Sequence, residues 1–188
     1  MLAQSLDDRA VVWVATHRVG WLNDAFVWLG YIDKVGAVWV ALAIVVGLVL
    51  RLGVLPTGVL ALLTAATTFA ADSACFGLKD LVDRTRPFVA HPEIHPLYVV
   101  HSSSFPAGHA ATAFAGATLL SYIAPKAAPA FVVLALAIAY SRVYVGVHYP
   151  GDVIVGALVG CLVGAAAVAI VVVSRRRNGR FVQALTPG

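Results

Sequence analysis

The chain has 188 residues, of which 61% are hydrophobic and only 12% charged, and its mean hydropathy is +0.89. A soluble domain carries about 25% charged residues, so this chain lacks the polar material to cover a water-facing surface. Its net charge of +4 comes from basic residues at the ends of apolar runs, a pattern of membrane topology that excludes a nucleic-acid-binding stripe.

The first ten residues, MLAQSLDDRA, are acidic and lack the basic and apolar regions of a cleavable signal peptide. Residues 1–34 then mix Trp13, Trp21, Trp28 and Tyr31 with His17, Arg18, Asn23 and Asp24. That composition reads as an interfacial amphipathic segment, with a span through Val11–Tyr31 as the alternative. Five apolar segments follow that approach the ~20 residues a spanning helix needs: Val35–Leu52, Pro56–Phe76, His109–Ala124, Ala127–Val147 and Pro150–Ser174. The expected fold is therefore all-α, a polytopic membrane bundle of five to six transmembrane helices, with residues 35–174 as its core. The basic run Arg175–Arg180 in the tail (175–188) predicts a cytoplasmic C-terminus. Alternation puts Arg51 and Lys126 on that same side and the long loop, residues 77–108, outside.

The alternation also gathers the residues with chemical potential at the outer face. In GLKDLVDRTRPF, a continuing helix sets Lys79 and Arg86 on one face, until Pro87 ends it; a plain solvated helix end with an Asp80–Arg84 pair is the alternative. In SFPAGH, Ser104 as cap and Pro106 in the first turn leave the N–H groups of Ala107, Gly108 and His109 free for an anion. His109 is then either a proton donor to that anion or an ordinary surface histidine. In YSRVYVGVHYPGD, Arg142 inside an apolar helix calls for an anionic partner. His148 and Asp152, four apart, suit a carboxylate-oriented imidazole or a structural loop pair. Together these groups supply what phosphoryl transfer requires: positive charge, hydrogen-bond donors, a nucleophile and an acid.

The three stretches match K-x6-R-P (Lys79, Arg86, Pro87), a P-S-G-H-like PAGH (Pro106–His109) and S-R-x5-H-x3-D (Ser141, Arg142, His148, Asp152). In order and spacing the chain resembles the type 2 phosphatidic acid phosphatase superfamily, which includes membrane lipid phosphatases and vanadium haloperoxidases. The resemblance implies a metal-independent phosphatase with no cofactor. His148 would be the nucleophile, Asp152 would orient it, and His109 would protonate the leaving group. Lys79, Arg86 and Arg142, with the backbone at Ala107 and Gly108, would bind phosphate. Ala107 departs from the family serine and removes a hydroxyl that Ser102, Ser103 or Ser104 would have to replace.

The implied partners are a lipid phosphate substrate, such as undecaprenyl diphosphate, phosphatidylglycerol phosphate or phosphatidic acid, and the bilayer of the cell membrane. A catalytically silent lipid-phosphate binder or flippase is the competing expectation, motivated by Ala107. Gly156, Gly160 and Gly164 form a small-residue face for packing within the bundle or, secondarily, for a homodimer. Tyr144, Tyr149 and Phe88 are candidates to line a substrate groove. HPEIHP (His91–Pro96) reads as ordinary loop polarity rather than a metal set, and Cys75 and Cys161 as packing residues without a disulfide.

Overall fold

A computed structural model describes residues 2–177, and all its regular elements are helical. The basic residues beyond Arg177, with most of the expected cytoplasmic tail, lie outside the described residues. The helices are α1 (Leu2–Thr16), α2 (Asn23–Ile32), α3 (Ala37–Val49), α4 (Val54–Val82), α5 (Pro87–Ala90), α6 (Gly108–Ile123), α7 (Ala128–Tyr144) and α8 (Pro150–Arg177).

Proline and left-handed residues set the ends of these helices. Asp83 adopts φ 40°, which stops α4 four residues before the proline expected to end it. Pro150 occupies the first position of α8, where its missing N–H costs nothing, and Asp152 sits in that helix's first turn. Gly146 (φ 84°) makes the turn that carries the chain from α7 to His148.

The centre of the bundle is α6, which is alanine-rich and buried around most of its circumference, as a helix apolar on all sides should be. It packs on α3, α4, α7 and α8. The contact with α8 depends on Gly156, Gly160 and Gly164: a Cβ on the first two would collide with the carbonyls of Ala107 and Ala111, and on the third with Thr118. The glycine face is consumed inside the bundle.

Among the described residues three helical stretches are long and apolar enough to cross a membrane, Val54–Ala90, Pro125–Tyr144 and Pro150–Ser174, and a fourth is gained if Gly20–Ile32 and Lys34–Val49, bent by 51°, count as one broken span. The expected spans at α3 and α6 are helices of 13 and 16 residues, shorter than the ~20 of a full crossing. The chain is a multi-pass membrane helix bundle. The turns carrying Arg51 and Lys126 lie at one end, beside an apolar cavity of about 580 Å³ lined by Leu50, Pro125, Lys126 and Phe131. Loop 83–107 and the α7–α8 link form the other end, with α1 and α2 against them.

The N-terminal helices are anchored there by polar contacts. Arg18 donates to the carbonyls of Tyr144 (2.7 Å) and His95 (2.6 Å), and the Tyr144 hydroxyl donates to the Val19 carbonyl (2.9 Å). Trp13, Trp21, Trp28 and Tyr31 stay exposed. Tyr144 is buried and holds the N-terminal segment instead of lining a groove, whereas Tyr149 lies under the Arg84 guanidinium, 3.8 Å from its ring centre, and lines a cleft with Arg84 and His91, and Phe88 lines a neighbouring one.

Candidate active site

Asp152 is wholly buried, so its carboxylate must be satisfied by the protein. Arg84 Nη1 donates to Oδ1 at 2.6 Å; the Ser104 hydroxyl and the Tyr149 N–H (3.0 Å) donate to Oδ2. Arg84 continues to Asp7 Oδ2 at 2.8 Å, and the other oxygen of Asp7 accepts the Gly151 N–H at 2.8 Å. The alternative Asp80–Arg84 helix pair is therefore not formed: Arg84 lies past the end of α4 and turns inward to two carboxylates. His148 Nδ1 stands 3.6 Å from Asp152 Oδ2, an ion-pair distance longer than a hydrogen bond.

Opposite Asp152, the other imidazole nitrogen of His148, Nε2, faces Arg86 Nη1 at 3.4 Å. Arg86 is not on the Lys79 face of a continued helix, as its spacing predicts, because α4 has ended and its own backbone is extended. It is held instead by the carbonyls of Ser102 (2.6 Å), Val147 (2.8 Å) and Ser103 (3.2 Å) and by the Ser102 hydroxyl (3.1 Å). Lys79 approaches the same hydroxyl at 3.5 Å. His148, Arg86, Ser102 and Lys79 thus meet although three segments supply them. Burial first, then the positive charges of Arg86 and Lys79, pull the His148 pKa down to about 4 against the opposing pull of Asp152. Its imidazole is neutral at pH 7, which leaves a nitrogen lone pair available.

The start of α6 departs from expectation. Ala107, not Ser104, is the N-cap, and Pro106 precedes the helix, joined to Phe105 by a cis peptide. The Ser104 hydroxyl is drawn away to the buried Asp152 carboxylate, a stronger acceptor than a helix N–H is a donor. Ala107 is fully buried and its N–H donates to the Asp152 carbonyl at 3.0 Å, so it cannot bind phosphate as expected. Gly108 faces Asp72, where a Cβ would strike the carboxylate.

His109 meets the N-terminal helices. The Gly30 backbone is within hydrogen-bonding reach of its imidazole. With Val27, Gly30, Tyr31, Lys34 and Tyr98 it lines a cleft of about 190 Å³. Behind this wall Arg142 is completely buried, and its partners are neutral oxygens rather than the anion its position predicts: the Tyr98 hydroxyl (2.5 Å), the Phe26 carbonyl (3.1 Å) and the Ser141 hydroxyl (2.8 Å). It passes so close to Gly30 that a Cβ there would overlap the guanidinium.

Sequence reading missed Asp7 and Gly30, and gave Arg84 and Ser104 other partners than Asp152. The contacts of Asp7 with Arg84 and Gly151, and of Gly30 with His109 and Arg142, join segments far apart in the chain, which no local spacing shows. Arg84 carried one available signal, as a third cation beside Lys79 and Arg86 just before a proline.

The PAP2 superfamily model matches residues 57–176, well over half of the chain. The chain belongs to the PAP2 superfamily. A decaprenylphosphoryl-5-phosphoribose phosphatase of Mycobacterium tuberculosis is 40% identical over 105 residues, covering 55% of this chain and 57% of that protein. A lipid A 4'-phosphatase of Bacteroides thetaiotaomicron is 38% identical over 105 residues, 51% of this chain and 47% of that one. The chain spans about half the length of these curated relatives. The crystal structure of a transmembrane PAP2-type phosphatidylglycerolphosphate phosphatase from Bacillus subtilis superposes with a TM-score of 0.75 at 22% identity, over 96% of this chain and 89% of that one, a likeness of fold. Asp7 and Gly30, both of which meet the site, lie outside the residues that the PAP2 model matches.

Proposed function

We propose that this PAP2 protein is an integral-membrane lipid phosphatase, acting at the outer face of the cell membrane through a phosphohistidine. The observation that carries the reading is the placement of His148: one ring nitrogen against Asp152, the other beside the Arg86 guanidinium. A phosphate drawn to Arg86, Lys79 and the Ser102 hydroxyl has its phosphorus next to His148 Nε2. That nitrogen attacks, the P–O bond to the lipid breaks, and His109 supplies the proton that the departing oxygen takes. Asp152 offsets the positive charge that forms on the attacking ring. Water then attacks the phosphohistidine, His109 accepts its proton, and the P–N bond breaks to release inorganic phosphate.

The outer face is favoured because Arg51 and Lys126 sit at the opposite end of the bundle, where positive residues mark the cytoplasm. Polyprenyl diphosphates, phosphatidylglycerol phosphate and phosphatidic acid are the substrate candidates. The mycobacterial relative adds a polyprenyl-linked phosphosugar by its name. The test is phosphate release by detergent-purified protein on a panel of these lipids, with a chelator control. Release that survives the chelator and disappears in His148→Ala supports the mechanism; release unchanged in that variant overturns it.

A further inference from the structure

The catalytic reading leaves the cleft beside His109 unused, and geometry constrains what can occupy it. In an in-line displacement the nucleophile and the leaving oxygen lie on opposite sides of phosphorus. If His148 attacks, the leaving group departs on the side of the acid, His109, and His109 is a wall of this cleft. The remaining wall is chemically mixed. Val27 and the Gly30 backbone give it an apolar, narrow side, and Tyr31 and Tyr98 provide rings with hydroxyl groups. Lys34 supplies an ammonium that is exposed and makes no ion pair among the described residues. Every wall except His109 and Tyr98 comes from residues 27–34, before the part of the chain that the PAP2 model matches.

We propose that this cleft is the leaving-group subsite and that Lys34 selects lipid phosphates whose leaving group carries a second phosphate. The proposal rests on the phosphatase reading and narrows its substrate class. In a lipid diphosphate, the P–O bond that breaks leaves its electron pair on the bridging oxygen of a lipid monophosphate. Negative charge therefore grows on the cleft side as the bond breaks, and a cation waiting there is worth more in the transition state than in the bound substrate. A phosphate one linker further from the scissile bond, as in phosphatidylglycerol phosphate, also meets the ammonium, as a fixed anion. Phosphatidic acid departs as neutral diacylglycerol and gives Lys34 no partner. The cleft's 190 Å³ admits a head group and excludes a lipid tail, which stays in the bilayer alongside α2.

The experiment compares kcat/KM for farnesyl diphosphate and for phosphatidic acid in the same detergent, for wild type, Lys34→Ala, Lys34→Arg and Lys126→Ala. The expected result is a wild-type preference for the diphosphate that falls roughly two- to fivefold in Lys34→Ala, the scale of one lost ion pair at an exposed site. Lys34→Arg retains most of it, and Lys126→Ala, at the far end of the bundle, keeps the wild-type ratio. Wild type gives a second readout that needs no variant: the preference shrinks as ionic strength rises, because an exposed ammonium is screened. Hydrolysis of both lipids with a ratio that ignores Lys34 and salt overturns the subsite while sparing the phosphatase. Failure of wild type to release phosphate from either lipid overturns the phosphatase reading and the subsite with it.

Discussion

The two histidines of this site live in opposite surroundings. Beside His148 the wholly buried Asp152 is joined with Arg84, Asp7, Ser104 and the Tyr149 and Gly151 amides in one charged network. Around His109 the partners are a glycine backbone, two tyrosines, a valine and one exposed lysine, arranged about an open cleft. A buried charge network tolerates little change, since removing one member strands the others. An open cleft without such a network tolerates substitution better. On the proposed mechanism, the difference places the bond-breaking chemistry in the half that tolerates little change and substrate choice in the half that tolerates more.

The largest effect tests the closed half. His148→Ala removes the proposed nucleophile and should lower kcat by about 10³-fold or more, measured as phosphate release, with the helical fold retained by circular dichroism. His109→Ala tests the open half and should cost about 10²–10⁴-fold on lipid esters, the usual range for a general acid. The two variants should part on a p-nitrophenyl ester, whose leaving group needs no proton. His109→Ala should recover much of its loss there, and His148→Ala none. Equal losses on both esters would erase the distinction between the halves.

The closed half was also the more legible in the sequence, though not in its entirety. Lys79, Arg86, His148 and Asp152 stand in short motifs whose spacing announces them, and apolar runs located the helices to within a few residues. The start of α6 was misread because capping rules treat a helix end in isolation. Here a buried carboxylate 48 residues away takes the Ser104 hydroxyl, and the backbone of the same residue takes the Ala107 amide. Helix α4 stops at Asp83 rather than at Pro87, which re-aims Arg84 and Arg86 from a helix face into the site. The glycines of α8 could be read as a packing face but not assigned to a partner. Asp7 and Gly30 were invisible, because only the folding of α1 and α2 onto the far side of the core brings them near.

Arg84 is the hinge of the nucleophile network, and losing it should be costly yet less so than losing a histidine. Arg84→Ala leaves Asp152 buried with its strongest donor gone, and we expect kcat to fall roughly 10- to 100-fold with KM changed little, in line with a buried charge-assisted contact. Arg84→Lys should recover part of it, lacking the two-pronged reach to Asp7 and Asp152. A fall in thermal stability with kcat intact would assign Arg84 to folding alone.

The smallest effect is the finest probe of the charge network. The proposed mechanism needs His148 neutral, and its pKa is lowered to about 4. The acid limb of kcat/KM should accordingly lie well below the 6.5 of a free imidazole. Activity is held as pH falls through 6.5 and is lost only near the lowered value. The same shift means that unfolded chains bind a proton at this site before folded ones do, so acid between those two values also erodes stability. Asp7→Asn keeps an acceptor for the Gly151 amide but removes the charge that shares Arg84 with Asp152. The undivided guanidinium then weakens the carboxylate's hold on a proton at His148. The acid limb should therefore move lower still, with kcat reduced only a few-fold. A limb that moves upward, or one fixed at 6.5 in both proteins, would show that the Asp7–Arg84–Asp152 chain braces the fold without reaching the electronics of His148.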